Sequence, residues 1–264
     1  MKYPHYAKLS FYQSTAYRFS MLLSLLLGPF NLVIQYFIWS ALLSLQETIA
    51  GYDITLAMTY FTAATLISYF IYNGVHNQFD ELVIRGGLTR ELLRPIDLIK
   101  QLFFSALGNR SMAFLLEILP IMIAIGFIFG FETLIPQNTP LFIAGLIVAF
   151  VINYLWGYLF GLSSFWTKRT HGLKLVSFSL FLIATGFSFP LDILPHKLQV
   201  ISSYLFFEHV MYAPIKYFTG DFALGNITDA YLNLAIGVMW AVVLWVLCKY
   251  LQKKAYDKYQ GVGQ

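Results

Sequence analysis

Few side chains in this sequence could do chemistry, and they are scattered. Asp192, His196, Glu208 and His209 form the densest group of acid–base candidates. Glu208 and His209 are adjacent, so on a helix they would project about 100° apart and could not share a proton path. A membrane enzyme built on these four therefore has no defensible catalytic pairing. Glu117 is the acid that stands inside an apolar stretch. A carboxylate there costs about 2.5–3.5 kcal/mol on insertion scales, so it is expected to face protein rather than lipid. Arg110, about two turns earlier, is its expected partner, and protonation of the acid is the alternative. Asn31, Gln35, Asn73 and Asn153 are neutral polar residues within apolar runs, able to line a path or to hydrogen-bond between helices. Cys248 is the sole cysteine and reads as a small apolar residue. No Cys/His cluster has metal-ligand spacing, and His171, beside Lys168 and Arg169, reads as part of a solvated loop. No G-x-x-x-x-G-K-[ST] occurs, so this sequence has no phosphate-cradling loop and is expected to bind no cofactor of its own.

The elements that must position these residues follow from composition. Of 264 residues, 58% are hydrophobic, 18% aromatic and only 11% charged. Soluble domains carry about a quarter charged residues, so lipid must be the main solvent here. A bilayer core needs about 20 apolar residues per helix, and six stretches qualify: Phe19–Leu43, Ile54–Val75, Ser111–Phe131, Leu141–Trp166, Leu173–Leu191 and Ala230–Leu247. The amphipathic approach Ile99–Leu107 could belong to the third of these. The first is too long for the apolar region of a cleavable signal and is expected to persist. The sequence predicts one all-α transmembrane domain spanning residues 1–264.

Orientation follows from the basic residues. On one side fall Lys2, Lys8 and Arg18, then Arg85, Arg90, Arg94, Lys100 and Arg110, then Lys168, Arg169 and Lys174, and finally Lys249, Lys253, Lys254 and Lys258. These are 15 of the 17 Lys and Arg, leaving only Lys197 and Lys216 opposite. The basic side is expected to be cytoplasmic, with both termini there, in a multi-pass protein of the cell membrane. The net charge of +4 then reads as a topology signal and needs no nucleic-acid partner. Trp39, Tyr52, Tyr60, Trp166, Tyr231, Trp245 and Tyr250 lie near predicted ends, as interfacial anchors do.

Two connecting segments stand out. After the second span, Phe79, Leu82 and Val83 continue an apolar face from Val75, with Asp80, Glu81 and Arg85 off it. Gly86-Gly87 breaks that helix, and Leu88, Leu92, Leu93 and Ile96 resume an apolar stripe before Pro95 and Asp97 disturb it. Two short amphipathic helices along the membrane surface are predicted, either covering the underside of the bundle or docking on a cytosolic partner. Before the sixth span, Pro195, Pro214 and the apolar run Val200–Val210 predict a re-entrant or interfacial helix pair. Non-helical backbone at that depth survives only if buried in protein or lining water.

The run Ile84-Arg-Gly-Gly-Leu-Thr-Arg-Glu-Leu-Leu-Arg-Pro-Ile-Asp97 resembles the loop after the second span in ABC-2 type permeases, where an I-R-x-G-x-L/T-x-x-L-L-x-P pattern recurs. Phe189-Pro-Leu-Asp-Ile-Leu-Pro195, leading to Pro214-Ile-Lys-Tyr-Phe-Thr-Gly220, is similar to that family's outer excursion. Where members often have Leu-Pro-Phe, this sequence has Leu205-Phe206-Phe207. With span count and loop order, the likeness covers nearly the whole chain. It implies the permease subunit of an ATP-driven exporter, itself no enzyme, working by alternating access. ATP and Mg would be bound by a separate ATPase subunit, and a second permease, identical or homologous, would complete the pathway. The loop would include a coupling helix, with Phe79, Leu82, Arg85, Gly86, Gly87, Arg90 and Glu91 contacting the ATPase. Pro195, Phe206, Phe207 and Pro214 would form an outer gate. Glu117, Asn31, Gln35 and Asn153 would serve as pathway or structural polar groups. A stand-alone channel or ion-coupled carrier is the competing class. It calls for several inward charges or broken helices at mid-membrane.

Overall fold

The computed structural model describes residues 3–14, 18–79, 82–83, 86–93, 96–167, 171–220 and 227–258. Their regular structure is helical: α1 (Tyr3–Ser14), α2 (Arg18–Leu43), α3 (Ile54–Ile71), α4 (Val75–Phe79), α5 (Leu88–Leu92), α6 (Leu98–Ala113), α7 (Leu119–Phe129), α8 (Thr139–Leu162), α9 (His171–Ala184), α10 (His196–Ser203), α11 (Tyr212–Thr219) and α12 (Ile227–Lys258). Among the described residues, four helical stretches are long and apolar enough to cross a bilayer: 54–79, 98–129, 139–165 and 228–258. Two shorter apolar helices, Leu27–Leu43 and Gly172–Ala184, accompany them.

The third span begins earlier than its hydropathy alone predicts. α6, a π turn over Phe114–Ile118 and α7 form one 32-residue rod from Leu98 to Phe129. The π turn sits just before Pro120, whose ring would collide with the carbonyl four residues back; one wider turn relieves that clash. The fifth span is shorter than expected. α9 stops at Ala184 because Gly186 takes a left-handed φ of 82°, and its carbonyl accepts the Tyr60 hydroxyl at 2.6 Å.

α8 is the hub, touching α3, α4, α11 and α12. Its glycines set how closely neighbours approach. A Cβ on Gly145 would lie 2.7 Å from Tyr217 of α11, and one on Gly161 would lie 2.1 Å from Phe79 of α4. Small residues also bring α1 against α6: a Cβ on Gly108 would meet the Ala7 carbonyl at 2.0 Å, and the Ser10 and Ser105 hydroxyls lie 2.6 Å apart. In lipid, where apolar burial drives little association, such close backbone approach is the main source of helix pairing. α2 turns Gly28, Leu32 and Trp39 inward, while Phe30, Phe37 and Ile38 remain exposed.

Candidate functional site

Two segments draw the chemistry-bearing residues together, one at each end of α8. At the first, α3 ends at Ile71 and the chain turns through Gly74. The freed Ile71 carbonyl accepts from Asn153 of α8 at 2.8 Å and from Asn73 at 3.3 Å. The Asn73 side-chain oxygen accepts from the Val75 amide at 3.1 Å, which starts α4. α4 lies on the Gly157 and Gly161 face of α8. Phe79, with 0% exposure, meets Tyr158 edge-on at 5.0 Å and Phe165 at 6.5 Å. Phe79 is thus committed to a socket on α8. G-x-x-x-G at 157–161 was the sequence signal for this socket, and reasoning from local periodicity alone passes over it.

Beyond α4, Leu82 and Val83 are half-buried. Asp80, Glu81, Ile84, Arg85, Arg94 and Pro95 lie outside the described residues, as do the side chains of Arg90 and Leu92. Gly86 has φ 78°, a conformation that a side chain would strain, whereas Gly87 is right-handed with φ −65°. α5 follows, with Leu88 buried and Leu93 82% exposed. Glu91 is buried, accepting from Gln101 of α6 at 2.9 Å, so α5 is tied back to the bundle. The segment closes at Asp97, which precedes α6 and forms an ion pair with Lys249 of α12. Both ends of the element are therefore held by long helices.

At the opposite end, residues 185–219 fold back into the bundle. Asp192 accepts from the Tyr52 hydroxyl at 2.6 Å, from the Tyr212 hydroxyl, and from Lys216 at 2.8 Å. A tight turn at Ala50-Gly51 presents Tyr52 to it, with Ile49 and Tyr52 exchanging two backbone hydrogen bonds. The Lys216 ammonium also faces the rings of Tyr52 at 5.2 Å and Tyr212 at 5.3 Å. Burial opposes ionisation of Asp192, but the Lys216 ammonium and the two tyrosine hydroxyls outweigh it and hold the carboxyl below its ordinary pKa.

Pro195 precedes α10, a helix with no buried residue. The chain then turns inward at Phe206 and Phe207, each 9% exposed. Their rings pack against Trp156 of α8, Phe206 tilted at 5.1 Å and Phe207 edge-on at 5.0 Å, and Phe206 meets Trp240 of α12 at 5.8 Å. Trp240 lies 13 residues into α12, about 20 Å along it at 1.5 Å per residue. The return helix α11 buries Ala213–Phe218, Pro214 included. Glu208 accepts from Asn233 at 3.0 Å, while His209 packs beside Gly237 with its Nε2 unbonded. His196 is exposed at the start of α10. Glu208 and His209 both lie within reach of Asn233, Asp192 is held by Tyr52, Tyr212 and Lys216, and His196 is exposed, so among the described residues no two of the four acid–base candidates bond to each other. Among the described residues, no group of three His, Cys, Asp or Glu could hold a metal ion.

Glu117 lies in the π turn, 8% exposed, and its charge acts on Arg110, its expected partner, without a direct hydrogen bond or close ion pair between the two. Arg110 instead donates to the Tyr69 carbonyl at 2.9 Å and faces the Tyr72 ring at 5.4 Å. Asn31 and Gln35 are half-buried one turn apart on α2. Cys248 is buried and free, and the side chain of His171 lies outside the described residues.

No curated protein matches the chain closely. The sequence model of the ABC-2 family transporter proteins, in contrast, matches residues 30–263. That match takes in α3–α12, the element held between α8 and α12, and the infolded outer segment, so this multi-pass membrane protein belongs to the ABC-2 transporter family.

Proposed function

We propose that the chain is the permease subunit of an ATP-driven exporter, in which residues 75–97 couple a separate ATPase subunit to the bundle. One observation carries this reading: the element is anchored to α8 through Phe79 and to α12 through Asp97 and Lys249. A push on its exposed surface would therefore be felt by two long helices at once. ATP and Mg belong to the partner, which would meet the element near Arg85–Arg90, with Leu93 exposed beside it and Glu91 turned inward to Gln101. Gly86 supplies the bend and Phe79 the transmission to α8.

In this reading the basic side of the chain and both termini are cytoplasmic, and the membrane is the cell membrane. A second permease completes the pathway. α9 supports that partner, since Leu173, Val176, Leu180 and Ile183 form an exposed stripe and the helix packs only lightly on α8. Pro195, Phe206, Phe207 and Pro214 belong to an outer gate that reaches deep into the bundle, where both phenylalanine rings pack on Trp156 and Phe206 also meets Trp240. Alternating access then requires substrate to bind differently in the inward and outward states.

The test is purification of the tagged chain in mild detergent, with identification of bound subunits, native mass determination and an ATPase assay. Wild type should carry an ATPase chain with a Walker motif and two permease chains. Arg85→Glu combined with Gly86→Val should lose the ATPase chain while still folding. Gly87→Pro is the weaker choice, because φ −65° at that position already suits proline. A stable wild-type chain that is alone and without ATPase activity would turn the reading toward a channel or carrier.

A further inference from the structure

Between α6, α8 and α12 the bundle leaves a half-open groove of about 530 Å³, well inside the roughly 300–1,000 Å³ typical of small-molecule sites. Phe103 and Phe104 of α6, Val151 and Leu155 of α8, and Trp245 of α12 line it. Tyr3 of α1 closes one side, stacked on Phe104 at 5.7 Å, so the clamp between α1 and α6 also shapes this groove. The lining is hydrocarbon apart from its rim. Lys100 stands at that rim, exposed and without an ion-pair partner among the described residues. Lys249, one turn beyond Trp245, lies 5.6 Å from the indole ring while paired with Asp97. Trp side chains favour the headgroup layer, so the groove opens where acyl chains give way to headgroups.

We propose that this groove binds an anionic membrane phospholipid. One acyl chain lies along Phe103, Val151 and Leu155, and the headgroup phosphate meets the Lys100 ammonium. Charge selects the lipid class: Lys249 is already balanced by Asp97, so Lys100 adds one uncompensated positive charge beside the apolar lining. A lipid with net negative charge neutralises it, and a zwitterionic lipid does not. The proposal goes beyond the transport reading. It requires the chain to sit in a bilayer, and it requires neither the ATPase nor the second permease.

Native mass spectrometry of the detergent-solubilised full chain tests it, with dioleoylphosphatidylglycerol and dioleoylphosphatidylcholine added separately. Wild type should retain one phosphatidylglycerol several-fold more strongly than phosphatidylcholine. Lys100→Glu should abolish that preference, and Val151→Trp, which fills the groove, should lower retention of both lipids. Lys254→Glu alters an ammonium over the Tyr250 ring that does not line the groove, and it should keep the wild-type preference. Circular dichroism and thermal unfolding confirm that each variant folds. The proposal is overturned by equal retention of the two lipids in wild type, or by equal losses in Lys100→Glu and Lys254→Glu. Full retention in Val151→Trp overturns it too, as does dimerisation of the chain in place of lipid adducts.

Discussion

Phe79 and Asp192 are each pinned by residues far away in sequence, and each pin can be cut separately. Gly161→Leu places a side chain where Phe79 lies, since even a Cβ would sit 2.1 Å from the ring. The variant should fold with a lowered Tm, and ATPase activity in the purified complex should become insensitive to the state of the permease. Phe79→Ala empties the same socket and should cost about 3–5 kcal/mol, as large core truncations do. At Asp192 the prediction is in pH. Its carboxyl is held below the ordinary pKa, so its stabilising contribution is complete above the ordinary carboxylate range and is lost as pH falls through the depressed value. Asp192→Asn should therefore lower Tm at neutral pH, and its gap from wild type should close in acid. Phe79 was legible from helical spacing and Asp192 from its place among the outer acids. Their partners were not legible, because Gly161 and Lys216 are joined to them by packing between separate segments, which local periodicity does not report.

Among the elements, α1 depends most on a single close approach. Its hold on α6 centres on Ala7, Ser10, Ser105 and Gly108, with Tyr3 stacked on Phe104 at its start. With Cys248 replaced by Ala, the pair Ser10→Cys and Ser105→Cys should cross-link readily under mild oxidant. Adding Gly108→Val should abolish the cross-link, read as a mobility shift on a non-reducing gel. Persistence of the cross-link would mean that α1 is held by other contacts. The same scale explains which boundaries the sequence conceals. Hydropathy continues through Phe187 and Phe189, so the fifth span reads to Leu191, yet Gly186 and Pro190 were visible breakers and the helix ends at Ala184. In the third span, Arg110 interrupts the hydropathy and hides a continuous rod; its guanidinium donates to the Tyr69 carbonyl and feels the charge of Glu117.

For the molecule as a whole, six apolar stretches and the asymmetry of basic residues were open to inspection in the sequence. The central place of α8 was not, because its neighbours come from five separate segments and only their mutual packing defines a hub. α9 raises a question of thickness. Its 14 residues reach only about 21 Å at 1.5 Å per residue, whereas a bilayer's hydrocarbon core is about 30 Å. In the six-span reading, where α9 crosses the bilayer, lipids beside it must shorten or the layer must pinch inward. The protein should be most stable in liposomes of short-chain lipid, with Tm falling as acyl length grows, and it should carry a local dimple of thinned bilayer wherever it diffuses.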